Sequence, residues 1–212
     1  MNRDFEIRQL LRAYRSGLLS EAAFEEEMIR LEHEAAEPGQ GESPRFEAFG
    51  HVYRSEREAV ISFLDKLHAA QMDSAIGFAK WAAVCRTKGL RTGLMMVAER
   101  QAYHARVIER RMHELGAELR AALTERGGKL AEVLANSEIS ELEKLLALTS
   151  LIQEPQQAVA PIVTFAAALN NDVETKQALR LLAEDELSSA TWLHDICAAL
   201  GATQAPAPAP SE

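Results

Sequence analysis

The feature that most restricts the fold of this chain is an apolar stripe between residues 94 and 115, with members three or four positions apart. Residues at this spacing share one face of an α-helix, so the segment predicts an amphipathic helix that packs against a core. Two polar residues interrupt the stripe and are expected inside the protein. In order, the stripe is Leu94, Val97, Gln101, His104, Ile108, Met112 and Leu115.

A second segment repeats this pattern near the C-terminus. Residues 94–116 and 179–201 align without a gap, with equivalent residues 85 positions apart. The second stripe has Glu186 and Ser189 at the places of Gln101 and His104. The alignment predicts an internal repeat in which two helices each carry a polar pair to the core. The other members of the second stripe are Leu179, Leu182, Leu193, Ile196 and Leu200.

The same offset relates two glutamines in the helices expected to precede these segments. Gln71 shares a stripe with Leu64 and Phe78, and Gln156 shares one with Leu145 and Val159. If all four helices face one core, their polar groups meet in one layer. We therefore predict a buried, hydrogen-bonded layer made of Gln71, Gln101, His104, Gln156, Glu186 and Ser189.

Local signals set the boundaries of four long helices at about 55–85, 90–115, 140–170 and 173–200. Capping boxes predict the starts of the first helix, from Ser55 and Glu58, and of the third, from Ser140 and Glu143. Glycines 116 and 201 are predicted to end the second and fourth helices. A long crossover broken at residues 127–128 joins the two helix pairs and is expected to hold a short helix. No strand-like alternation is present, so the predicted class is all-α.

Composition divides the rest of the chain. Residues 1–36 read as a helical hairpin with a break at Gly17 and Ser20 as a helix N-cap. Residues 37–54 read as a linker, because prolines and glycines are frequent there and apolar residues are few. Residues 55–201 form the bundle, and the Ala-Pro-rich segment 202–212 is expected to be a disordered tail.

The chain carries a net charge of -9, which disfavours nucleic acid and anionic membrane surfaces as partners. Its longest apolar run, 158–169, contains a proline and is too short to span a bilayer, and the N-terminus lacks a signal-peptide core. We expect a cytoplasmic protein. Cys85 and Cys197 lie in apolar helical sequence and are expected to be reduced core residues.

The two repeat segments contain "AERQAYHARVIERRMHELG" and "LLAEDELSSATWLHDICAALG". This arrangement resembles the ferritin-like superfamily, four-helix bundles in which two helices each give one Glu to a di-iron or di-manganese centre and two give Glu-x-x-His pairs. The resemblance covers about Ser55 to Gly201. It implies a bundle with a long crossover between two helix pairs, and ligand positions at the six residues of the predicted layer.

At most of these positions the chain departs from the family. Gln71, Gln101 and Gln156 stand where the resemblance implies Glu, and Ser189 stands where it implies His. Glu186 and His104 match the family's ligand types. Neutral glutamine cannot offset the charge of a hard cation, so a stable two-metal centre is not expected.

A metal-binding alternative uses nearby acids. One iron or manganese ion would be held by His104 and Glu186, or two ions with help from Glu154. Asp73, Glu99 and Glu184 are further candidates, but Glu99 and Glu184 lie about 200° from the inward direction of their helices. Pro155 is expected to kink the third helix beside Glu154.

Three functions are compatible with these features. The leading hypothesis is a non-catalytic binding or assembly protein that contacts a protein partner or a second copy through the hairpin or the bundle surface. The alternative is a divergent metalloprotein with oxidase, peroxide or iron-handling activity. A third is a polar small-molecule pocket at the former ligand positions. The sequence has no phosphate-binding loop or nucleophile elbow, and we expect no catalytic residue.

Overall fold

The computed structural model of the protein describes residues 3–16, 19–36, 45–150 and 154–204. The chain divides into two units, Met1–Glu58 and Ala59–Glu212. The described residues form eight α-helices and one two-stranded sheet, so the prediction of a mainly helical protein is confirmed. The helices are α1 Arg3–Arg15, α2 Glu21–Ala36, α3 Glu56–Val84, α4 Lys88–Glu114, α5 Glu125–Ala135, α6 Glu141–Thr149, α7 Pro155–Ala168 and α8 Val173–Gln204.

The N-terminal unit contains the two predicted helices and an unpredicted β-hairpin. The Tyr14 and Phe24 rings stack with centroids 4.7 Å apart. The Ser20 hydroxyl accepts a hydrogen bond from the Ala23 N–H, as expected for an N-cap, whereas the predicted break at Gly17 lies outside the described residues. In the hairpin, β1 Phe46–Ala48 pairs antiparallel with β2 His51–Tyr53.

The assignment of residues 46–53 to a linker is therefore wrong. Phe49 and Gly50 both have positive φ, 51° and 72°, which is the geometry of the two-residue turn that best matches strand twist. A non-glycine residue rarely adopts positive φ, so Phe49 gave no turn signal. Strands of three residues are also too short to show alternation. The remaining linker segment, 37–44, lies outside the described residues.

In the C-terminal unit, contacts fix the directions of the long helices. Helix α4 runs antiparallel to α8, since Gly93 lies against Trp192 near one end and Arg111 hydrogen-bonds Thr175 near the other. Helix α3 runs antiparallel to α6 and α7. Trp81 donates a hydrogen bond to Glu141 of α6, and the Phe63 ring stacks on Phe165 of α7 with centroids 4.1 Å apart.

The crossover between α4 and α6 runs alongside α3. The Asp65 carboxylate accepts hydrogen bonds from the Arg120 and Ala121 N–H groups. Asp73 accepts from the N–H and hydroxyl of Thr124, which is the N-cap of α5. Two acids on α3 therefore hold the crossover along that helix and satisfy its backbone donors.

The predicted short helix in the crossover is present as α5, but Gly127 and Gly128 lie inside its first turn instead of breaking it. The Gly127 N–H donates to the Thr124 hydroxyl, an ordinary N-cap bond. A Cβ at Gly127 would overlap the Asp73 side chain. This glycine therefore permits close approach between the crossover and α3.

The single third helix predicted for residues 140–170 is also wrong. The structure has α6, capped by the predicted Ser140–Glu143 capping box, and a separate α7 that begins at Pro155. Proline lacks an N–H and forces the preceding residue toward extended backbone. Glu154 is extended, with φ -128° and ψ 139°, so Pro155 starts a helix and does not kink one.

The ends of α4 and α8 give one correct and one wrong prediction. Gly116 has φ 63°, and the N–H groups of Gly116 and Ala117 donate to the carbonyls of His113 and Met112, the pattern of a glycine-terminated helix. Gly201 does not end α8, which continues to Gln204. Within the described residues, no helix combines the length and apolar character needed to cross a membrane.

Candidate functional site

The polar cluster of the C-terminal unit lies between α4 and α8 and centres on Glu186. The Gln101 Nε2 donates to Glu186 Oε2 at 2.9 Å, and His104 Nδ1 lies 3.2 Å from Glu186 Oε1. Gln101 and His104 are each 3% exposed. Three of the predicted layer residues therefore do converge, and both oxygens of the Glu186 carboxylate are engaged by protein groups.

His104 bridges two carboxylates. Its Nε2 lies 3.1 Å from Asp185 Oδ2, while its Nδ1 faces Glu186. An ionised carboxylate only accepts hydrogen bonds, so bonding two ionised carboxylates requires both ring nitrogens to donate, which favours the protonated ring. Burial opposes the charged ring, but hydrogen bonds to Glu186 and Asp185 and their negative charges outweigh it and raise the pKa of His104 above its ordinary 6.5.

Ser189 belongs to the same cluster through a residue that the sequence analysis did not single out. The Arg100 Nη1 donates to Ser189 Oγ at 2.8 Å and to the Asp185 carbonyl at 3.1 Å. The Ser189 hydroxyl, which is 4% exposed as a residue, donates to the same carbonyl at 3.0 Å. A guanidinium thus reaches the position where the family resemblance implies a histidine ligand.

Gln71 is buried, with 5% exposure, but its side-chain oxygen does not bond the cluster residues. Its side-chain Oε1 is buried and has no hydrogen-bond partner among the described residues. Such an acceptor lowers stability unless water or a ligand satisfies it. The burial predicted for Gln71 is therefore present, whereas a hydrogen bond from its Oε1 to the cluster between α4 and α8 is not.

The prediction that Gln156 lies in the buried layer is wrong. Gln156 is exposed, and the buried face of α7 carries Val159, Ile162 and Phe165 instead. The apolar stripe that contains Gln156 in the sequence assumes one unbroken helix from residue 140 to 170. Because the chain leaves the helix before Pro155, the phase of α7 is set independently of α6.

The acidic residues proposed as alternative metal ligands do not belong to the polar cluster between α4 and α8. Glu154 is an exposed residue at the α7 N-cap, and Glu99 and Glu184 are exposed, as their angular positions predicted. Asp73 anchors the crossover through Thr124. In the part of the chain that the structure describes, three or more His, Cys, Asp or Glu side chains do not group in a way that could hold a metal ion.

A cavity of about 480 Å³ adjoins the cluster. Its lining is mainly apolar and comes from the six helices α3 to α8 and from the residue before α5, with Phe78, Leu130, Leu134, Leu148 and Leu193 among the larger side chains. Gln101, Glu186 and Ser189 line the cavity as well, so the cluster forms part of its wall. His194 also lines it, and the buried His194 Nε2 has no partner among the described residues.

A second charged group, remote from the cavity lining, joins the other ends of α4 and α8. Arg111 is 7% exposed and donates to Thr175 Oγ1, Glu174, Asp172 and Glu114 at 2.6 to 2.9 Å. All the guanidinium nitrogens are engaged, which fits a structural clamp. Its only trace in the sequence is an arginine that lies next to the apolar stripe of α4.

No model of a known protein family matches this chain, and no curated protein matches it.

Proposed function

We propose that the chain is a ferritin-like protein in which an ion-paired polar cluster replaces the dinuclear metal centre, and that it acts as a non-catalytic binding protein. One observation carries the proposal. Both ring nitrogens of His104 and both oxygens of Glu186 are bound by protein groups. The two residues that match the family's ligand types are therefore already satisfied without a metal.

Helix directions support the ferritin-like part of the proposal. Helix α4 is antiparallel to α8, and α3 is antiparallel to α6 and α7. The crossover contacts Asp65 and then Asp73 of α3 before α6 begins beside Trp81. The second helix pair therefore starts at the end where α3 finishes, which requires a connection along the whole length of α3. One long crossover between two helix pairs is the connectivity of ferritin-like bundles.

The contacts of the cluster also fit a repeat related by an approximate twofold axis. Gln101 bonds its own equivalent, Glu186, at the offset of 85. Arg100 bonds Ser189, and its equivalent Asp185 bonds His104, the equivalent of Ser189. Arg100 corresponds to Asp185 and His104 to Ser189, so the Arg100–Ser189 contact and the Asp185–His104 contact are equivalent in the repeat. This pattern is expected when equivalent faces of two helices meet across an axis.

The chemistry of the cluster opposes a dinuclear centre. While its ring is protonated, His104 has no lone pair for a metal, and the Arg100 guanidinium adds positive charge where two cations would have to be neutralised. The glutamines at 71 and 101 supply neutral oxygens in place of carboxylates. Glu154, proposed as a supporting ligand, is exposed at the start of α7.

The test is the metal content of protein purified without chelator, followed by aerobic addition of ferrous iron. We expect well below 0.1 equivalents of iron or manganese per chain by elemental analysis, and no oxo-bridged absorption band. Retention of one or two equivalents that disappear in Glu186→Gln would refute the proposal. Glu184→Gln is the matched control, because Glu184 lies on the same helix and is exposed.

A further inference from the structure

We infer that the cavity beside the polar cluster is a binding site for a neutral, apolar small molecule of the aromatic or hydrocarbon class. This inference rests on the proposed binding function and names its ligand class. The volume, about 480 Å³, lies within the range of about 300–1,000 Å³ that is usual for small-molecule sites. The wall is built from helices α3 to α8, so a molecule inside it is enclosed from several sides.

Four large apolar side chains of the wall are only partly buried, although each packs against the hydrophobic core. They come from four different helices and are Phe78 of α3, Leu130 of α5, Leu148 of α6 and Leu193 of α8. All four line the cavity, so an apolar occupant would cover surface that they leave accessible to water. Removal of apolar surface from water is the main source of affinity for a ligand of this class.

The polar cluster in the wall does not require a polar ligand. The Gln101 amide donates to Glu186, and the Ser189 hydroxyl accepts from Arg100. Because these bonds are made within the protein, an apolar occupant does not break them. The Nε2 of His194 is buried and is therefore not open to a ligand. Apolar protein cavities of about 150 Å³ already take up aromatic molecules, and this one is larger.

The charges on the wall argue against an anionic ligand. Glu186 and Asp73 line the cavity, and the arginine among the described lining residues is Arg126, which is exposed. An exposed guanidinium contributes little to an ion pair in water. An anionic group placed in this cavity would lose its hydration without a buried cation to compensate. The site should therefore discriminate between a neutral aromatic molecule and an anion with the same rings.

The experiment titrates the full chain, after dialysis against chelator, with N-phenyl-1-naphthylamine, a neutral dye whose fluorescence rises in apolar surroundings. We expect one saturable site per chain with a Kd on the order of 10 µM. Anilinonaphthalene sulfonate, which has the same rings and one added sulfonate, should bind at least about tenfold more weakly. Naphthalene, which has no polar atom, should displace the neutral dye competitively.

Two substitutions fill the cavity from different helices. Ala190→Phe adds a ring from α8 and Ser74→Phe adds one from α3, and both positions line the cavity. Each variant should weaken binding of the neutral dye at least about tenfold, because the added ring takes the space of the ligand. The matched control is Ala198→Phe, since Ala198 lies on α8 outside the cavity lining, is exposed, and should leave binding unchanged.

Absence of a saturable site, equal affinity for the sulfonate, or failure of naphthalene to displace the dye would each overturn the inference. So would unchanged dye binding in either cavity-filling variant that remains helical and unfolds cooperatively. Failure of this inference is distinct from failure of the proposed function. Dye binding in the cavity by a protein that also retains stoichiometric metal would refute the loss of the metal centre and leave the cavity site standing.

Discussion

At the scale of single residues, His104 decides the chemistry of the cluster. A buried histidine with one carboxylate would keep a nitrogen free for a metal or a proton transfer, but His104 has a carboxylate at each nitrogen. Its side chain is 4% exposed, while Asp185 is 52% exposed and Glu186 16%. When its ring is protonated, His104 is the counter-ion of the neighbouring Asp185 and Glu186 carboxylates, which is a structural role.

This charge makes stability depend on pH. The pKa of His104 is raised in the folded state, so its stabilising contribution is complete below about pH 6.5 and is lost as pH rises through the higher folded pKa. We predict that His104→Gln lowers the free energy of unfolding by about 1.5–3 kcal/mol at pH 6 and by clearly less at pH 9. Urea denaturation at both pH values measures the difference. A loss that is equal at both values, or as small as for the exposed His113→Gln, would contradict the imidazolium assignment.

Arg111 gives a second prediction at this scale. Its guanidinium is buried among four partners that join α4 to α8, so truncation leaves acidic groups without their cation. We predict that Arg111→Met lowers the free energy of unfolding by about 3–5 kcal/mol. The exposed Arg110 on the same helix provides the control, and Arg110→Met should change stability by less than about 0.5 kcal/mol. Equal effects of the two variants in urea denaturation would show that the clamp has no net role.

At the scale of elements, the packing of α4 on α8 depends on a glycine. A Cβ at Gly93 would overlap the indole ring of Trp192, a side chain packed against the apolar core that includes Leu90 and Leu94. The small residue lets the two helices approach closely near one end, and Arg111 joins them near the other. The polar cluster lies between these two points, and both contacts help to fix its geometry.

Two alanine substitutions in α4 test this packing. Gly93→Ala should lower the free energy of unfolding by about 1–3 kcal/mol, because the indole ring must move. Gly89→Ala should raise it by about 0.5–1 kcal/mol, since a Cβ at Gly89 meets no atom within 4 Å and alanine is the better helix former. Chemical denaturation of both variants measures the free energy of unfolding. A stabilising effect at both positions would show that the Trp192 ring can move without lowering stability.

At the scale of the whole molecule, sequence periodicity correctly predicted which side chains are buried within one continuous helix. It failed where one helix ends and another begins. On α4 and α8 the phase runs unbroken through the cluster, so Gln101, His104 and Ser189 were correctly placed in the interior. The prediction for Gln156 was wrong because α7 begins anew at Pro155, after the extended Glu154, with a phase of its own. Arg100 and Asp185 were missed because they lie one position from the stripe, and long side chains can reach a site that their helical angle does not indicate.

Restoring the family's ligand types on α4 and α8 tests whether the cluster occupies the place of a former dinuclear centre. Arg100 must be removed as well, because its guanidinium bonds Ser189 at one ligand position. Combining Arg100→Ala, Gln101→Glu and Ser189→His would give α4 and α8 matching Glu-x-x-His pairs at the repeat offset of 85. Without metal, two carboxylates would then face each other where Gln101 now bonds Glu186. Their repulsion should raise the carboxyl pKa values and lower the free energy of unfolding by about 1–3 kcal/mol.

Manganese or cobalt should restore that stability in the triple variant, because an ion that binds the folded state shifts the unfolding equilibrium in its favour. Thermal unfolding with and without each ion, together with the visible absorption of cobalt, measures this effect. Arg100→Ala alone is the control and should not gain stability from either ion. If the triple variant is as stable as the parent without metal and gains nothing from manganese or cobalt, residues 101 and 186 do not face each other as ligand positions would, and the ferritin-like proposal loses its main support.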